Sequence, residues 1–129
     1  MNLIAAFVSH RPVSASSLVS SVKDRLARAK AVVALISVRR NSALDTPMKT
    51  ALLVATEIID DAAMTITFLI GHILGDDVVA GANGHLVRAK ALISLVQGDD
   101  EAGDEVGLVL DLAVSCLAGA LGELGEHRA

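Results

Sequence analysis

The fold class this sequence predicts is α/β: one small domain over residues 1–129, with a mostly parallel or mixed sheet flanked by helices. Three observations predict it. Short apolar runs alternate with stretches that carry helix signals. β-branched residues concentrate in those runs. No linker divides the chain, whose length is common for a single domain. The alternative is an all-α four-helix bundle, in which neighbouring segments fuse into four long helices, because periodicity alone does not separate a short apolar run from buried helix.

Taken in order, Asn2 to Ser9 reads as a strand that His10-Arg11-Pro12 closes, since proline cannot continue a ladder. Ser14 offers an N-cap, and Leu18, Val22, Leu26 and Ala29 recur every three or four residues, predicting a helix to about Lys30. Ala31 to Val38 (A-V-V-A-L-I-S-V) is short and β-branched and ends at Arg39-Arg40-Asn41-Ser42, predicting a strand. Thr46 as N-cap with Pro47 at the first helical position starts a helix that runs to about Ala63. Met64 to Gly71 and Ala91 to Gln97 are further strands, around a short helix at Asp77 to Lys90. Acids from Asp99 to Glu105 lead into a last helix with Val106, Val109, Leu110, Ala113, Leu117 and Leu121 on its apolar face. One echo is visible: Leu26-Ala27-Arg28-Ala29-Lys30-Ala31 matches Leu86-Val87-Arg88-Ala89-Lys90-Ala91 at five of six positions. Helix-end capping by the cations accounts for it as well as a duplication does.

Composition narrows the class further. Hydrophobic residues make up 53% of the chain, yet Phe7 and Phe68 are the only aromatic residues of the Phe, Tyr and Trp group. The core is therefore aliphatic, and so much apolar surface on a small body predicts a homodimer. The single Cys116 excludes an internal disulfide and reads as a small apolar residue of the last helix. Met1 to Val8 lacks the cationic start and A-x-A exit of a secretory signal. Glu57, Asp60 and Asp61 interrupt one apolar stretch and Asp111 another, so no membrane segment is expected. The expected location is the cytoplasm or a virion interior.

Charge is unevenly placed. Residues 1–49 carry eight Lys or Arg against two acids, a net +6, whereas residues 50–129 carry three against thirteen, a net −10. A basic half suits phosphate-rich partners, although solvated surface charge gives the same count. The candidate nucleic-acid or anion site comprises His10, Arg11, Lys23, Arg28, Lys30, Arg39 and Arg40. In a parallel sheet, His10-Arg11, Arg39-Arg40 and Gly71-His72 all follow strand ends, where anions bind. Loops facing water would put polar residues there in any case. Neither the acidic runs nor Glu57, Asp60 and Asp61 have the matched partners of a metal site, and no catalytic motif is present. No cofactor, metal or enzymatic activity is expected.

The size, the low aromatic content and the motif-free pattern from Asn2-Leu3-Ile4 to the Val106–Leu124 segment resemble the small assembly and packaging protein of the cystovirus inner capsid, from the segmented double-stranded RNA phages. The resemblance implies a non-enzymatic, dimeric virion protein that aids procapsid assembly and RNA packaging, with capsid or polymerase proteins and RNA backbone as partners. The competing expectation is a small cytosolic protein or enzyme that grips a phosphorylated ligand with strand-end arginines.

Overall fold

The computed structural model describes residues 15–39, 44–97 and 105–125, and among these every regular element is an α-helix. The helices are α1 (Ala15–Arg39), α2 (Thr46–Phe68), the single-turn α3 (Gly71–Leu74), α4 (Asp76–Gln97) and α5 (Glu105–Gly125). The α/β expectation is overturned, and the all-α alternative of four long helices describes these residues. Ala31–Val38, Met64–Phe68 and Ala91–Gln97, expected as strands, are the last turns of α1, α2 and α4, while Leu69 and Ile70 form a turn. The Asn2–Ser9 strand lies outside the described residues.

The physical reason is an unbroken heptad. The buried positions of α1 are Val19, Val22, Leu26, Ala29, Val33 and Ile36, alternately three and four residues apart straight through the expected boundary at Lys30. No glycine or proline stands at residues 30–31, 63–64 or 90–91 to end a helix there. A β-branched residue in a helix costs a few tenths of a kcal/mol, and burial outweighs that several-fold. Helix α4 runs through Gly81 and Gly84 and extends the short helix expected at Asp77 to Lys90 on to Gln97. The start of α2 shifts by one residue: the Asp45 carboxylate caps it by accepting from the Met48 N–H at 2.9 Å, leaving Thr46 inside the first turn.

In the bundle α1 packs beside α2 and α5, and α4 packs beside the same two. Cross-links near the helix ends set the directions. Ser37 at the end of α1 reaches Gly107 at the start of α5, and Gln97 at the end of α4 reaches Lys49 at the start of α2. Asn83 early in α4 donates to Thr67 late in α2 at 2.8 Å. Neighbours are therefore antiparallel, in the up-down-up-down order that short connections favour. Ile70 and Leu74, both buried, bring the α2–α4 connection under one end of the core. Gly75 then turns the chain at φ +92°, a conformation open to glycine, and its carbonyl accepts from Val79 to begin α4.

The stripes of α2, α4 and α5 alternate large residues with alanine: Leu52-Ala55-Ile59-Ala62-Ile66 in α2, and Leu110-Ala113-Leu117-Ala120-Leu124 in α5. These two stripes correspond position by position, 58 residues apart. Those of α1 and α4 correspond 60 apart, as Leu26/Leu86, Ala29/Ala89, Val33/Ile93 and Ile36/Val96. The same offsets superpose two hydrogen bonds. Ser37 Oγ, which donates to the Asp111 carboxylate at 2.8 Å, also lies 3.4 Å from the Gly107 carbonyl, and Gln97 Nε2 donates to the equivalent Lys49 carbonyl at 2.9 Å. The α1–α2 hairpin is thus repeated by α4–α5 about a pseudo-two-fold axis along the bundle. The sequence echo at Leu26–Ala31 and Leu86–Ala91 is one segment of this longer correspondence.

Two polar side chains take advantage of glycines between α4 and α5. A methyl group at Gly119 would sit 2.7 Å from the His85 imidazole, and one at Gly81 would sit 2.9 Å from the Glu123 carboxylate. Nothing lies within 4 Å of the corresponding point at Gly84. Gly84→Ala should therefore raise stability by about 0.5–1 kcal/mol, the usual gain in a helix interior. Gly119→Ala should forfeit that gain, because His85 must leave the surface of α5. Ala113→Leu should cost about 1–3 kcal/mol by overpacking, and Leu117→Ala about 2–5 kcal/mol by leaving a cavity. Urea unfolding of the four variants checks this ordering.

Candidate nucleic-acid interface

Helix α1 concentrates the positive charge. It holds Lys23, Arg25, Arg28, Lys30 and Arg39 against Asp24 alone, a net +4. By the same count α2 holds Lys49 against Glu57, Asp60 and Asp61, and α5 holds Glu105, Asp111 and Glu123 with no cation. In α4 Asp76 and Asp77 balance Arg88 and Lys90. The uneven charge of the sequence is therefore a spatial property of one helix.

The core stripe dictates how these cations are displayed. With Val22, Leu26, Ala29 and Val33 turned inward, helical geometry sends Arg25 and Arg28 out along the α2 flank. Lys23 and Lys30, one heptad apart, leave along the α5 flank and are half-buried, while Arg25 and Arg28 are exposed. Two cationic rows thus border the outward face of α1. Ser17, Ser20, Ser21, Asp24, Arg25 and Arg28 line a shallow polar concavity of about 440 Å³ on that face. Hydroxyl and guanidinium donors spaced along one helix suit successive phosphates better than one compact ligand.

Of the residues selected from sequence, Lys23, Arg28 and Lys30 share this helix, and Arg39 stands in its last turn. His10, Arg11 and Arg40 lie outside the described residues. The strand-end anion site is not formed. Among the described residues there are no strands, and His72 in α3 stands at the opposite end of the bundle from Arg39, roughly 30 Å away at 1.5 Å rise per residue. Arg25 and the three serines were missed as candidates. The signal for them was their recurrence at Ser17, Ser20/Ser21, Asp24/Arg25 and Arg28, within a segment already read as helix.

Other sites offer less chemistry. Ile59, Ala63, Leu86, Val87 and Ala91 line an apolar groove of about 360 Å³ between α2 and α4, bordered by Asp60 and Lys90. Lys90 Nζ bonds both Asp60 oxygens, at 2.9 and 3.1 Å, and both side chains are about half exposed. Among the described residues no group of acidic, histidine and cysteine side chains is arranged to hold a metal ion. Cys116 is half-buried against the core of α5. Helix α5 is long and apolar enough by length and composition to cross a membrane, and its inward stripe is the core of the bundle. Comparison with protein families, with characterised proteins and with solved structures finds no match.

The Lys90–Asp60 pair has the geometry of a surface ion pair, which contributes about 0–1 kcal/mol. Lys90→Ala should accordingly lower stability by less than about 1 kcal/mol in denaturant titration. A larger loss would make the pair a structural clamp between α2 and α4.

Proposed function

We propose that this chain is a non-enzymatic assembly protein that holds nucleic-acid backbone along α1, in the role of an RNA-packaging accessory of a viral core. The single observation that carries the reading is the pair of cationic rows on α1, a helix with four net positive charges in a chain of net charge −4. Contacts of this kind read phosphates without base sequence, which fits the scarcity of aromatic side chains for stacking. Copies of the chain itself, and shell or polymerase proteins, are its protein partners in this reading, inside the cytoplasm or the particle. The competing phosphate-ligand reading relied on arginines at strand ends, and the helical fold removes its geometry.

Binding to two single-stranded RNAs of unrelated sequence, followed by fluorescence anisotropy across a salt series, tests the proposal. Affinity should fall steeply with salt, each phosphate contact adding about 0.7 to the logarithmic slope. Arg25→Ala with Arg28→Ala should lower that slope by about one to two and weaken both RNAs alike. Thermal stability should change by less than about 0.5 kcal/mol, since exposed charges matter little to folding. Salt-independent binding, or an unchanged slope in the double variant, would refute the interface.

A further inference from the structure

The core is repeated between the two hairpins, but the surface of the first carries a feature that the second lacks. Phe68, the one member of the Phe, Tyr and Trp group among the described residues, ends α2 with 73% of its surface exposed. Met64, one turn earlier, is 60% exposed, and Leu69, the next residue, 55%. With Asp61 and Thr65 of α2 and Arg25 of α1, they line a pocket of about 400 Å³ between the two helices. Arg25 also lines the serine-rich concavity on the outward face of α1, so the two hollows meet at its side chain. The repeat-equivalent place on the second hairpin is built differently. Arg25 corresponds to His85, which lies over α5, and Asp61 and Met64 correspond to Gly119 and Gly122. Core packing therefore gives no reason for an exposed phenylalanine beside the most cationic helix.

Size and charge together select the occupant. The apolar lining spans little more than one helical turn, from Met64 to Leu69, which is too short for a partner helix and has the volume of a small-molecule site. Its charged groups are the Arg25 guanidinium and the Asp61 carboxylate, and the Thr65 hydroxyl donates back to the Asp61 carbonyl at 3.0 Å. The two charges cancel, which suits an uncharged ring and not a further phosphate. Glu57, exposed one turn before Asp61, adds to the acidic border of α2, while Asp60 on the other flank is held by Lys90. A polyanion is thus kept off α2 and stays with Arg25 and Arg28 of α1, where Asp24 is the one opposing acid. The group that can cross from a phosphate at Arg25 to Phe68 is the base attached to it. We propose that Phe68 is the stacking platform for one base of a single-stranded RNA whose phosphates lie along α1. An aromatic face beside a cationic track holds single strands of any sequence, because every base has a π-face. Bases of a duplex are already stacked and paired, so the platform favours single strands. This role rests on the α1 interface proposed above and adds to it the class of nucleic acid that is held.

The full chain is titrated with one single-stranded RNA and with the duplex of the same sequence, across a salt series. Phe68→Ala should weaken the single strand at least about fivefold, the low end of what one stacked base contributes. It should leave the salt slope unchanged, because stacking releases no counterions. Duplex affinity should not move, and Phe68→Tyr should bind as the wild type does. A pyrimidine strand carrying one 2-aminopurine gives the direct readout: its fluorescence should be quenched on binding the wild type and less so on Phe68→Ala. Because the side chain is exposed, both variants should fold, which their circular dichroism checks. Phe68→Ala that binds the single strand like the wild type, with the salt slope intact, would overturn the platform and leave the phosphate interface standing. Duplex bound as tightly as single strand would overturn it too. So would flotation with phosphatidylcholine vesicles, or a concentration-dependent mass without RNA, that is lost on Phe68→Ala; these would assign the patch to lipid or to a second copy. Salt-independent binding would instead remove the α1 interface and the platform with it.

Discussion

The distance between helices in this bundle is set by alanine. In α2 and α5, and in α4 as far as Ala89, a large aliphatic core residue is followed, three or four residues on, by alanine at the next position. A leucine or isoleucine facing that alanine fills the room it leaves, so the helices approach closely and the layers interlock without aromatic side chains. Everything else depends on that spacing. It lets Gly81 and Gly119 bring α4 and α5 near enough for Glu123 and His85 to lie on each other's helix. It also fixes which residues face outward, and hence where the cations of α1 are displayed.

Much of the local structure was legible, and the failures share one cause. The Thr46-Pro47 start and the acidic lead into the last helix were read within a residue or so, because capping chemistry is local. The core spacing of α1 is plain from Val22 to Ala29 and continues at Val33 and Ile36, past the helix end expected at Lys30. Val32, Val33 and Ile36 have the composition of a strand, but their preference amounts to tenths of a kcal/mol, while each buried side chain contributes about 1.5–3 kcal/mol. Spacing should have outweighed composition. The same error created the strand-end anion site, which joined Arg39 to His72 across the length of the bundle. The charge asymmetry survived it, because a cationic segment of one helix remains a cationic surface in either fold.

The excess of apolar residues also finds its physical account. A core-facing bundle helix needs about three positions in seven, and here leucine and valine recur beyond it, at Leu35, Val38, Val54, Leu95, Leu108 and Leu112. The composition signals apolar residues beyond those the core uses, but not where they lie. That required knowing which apolar residues the core leaves out, and the heptad decides this helix by helix.

The order of the helices bears on how the chain folds. Each hairpin joins consecutive helices through a short connection, so most native contacts are local and can form on the microsecond-to-millisecond scale of helical bundles. The α1–α5 interface is different: it brings together segments some 70 residues apart, as Ser37 and Gly107 show. Closing it carries the largest loop entropy in the molecule. A chain in which it stays open presents two-helix halves whose apolar stripes match by the same repeat. Molecules meeting at that stage can exchange hairpins and finish as intertwined pairs with the same contacts, so the order of synthesis and the local concentration bear on which form accumulates.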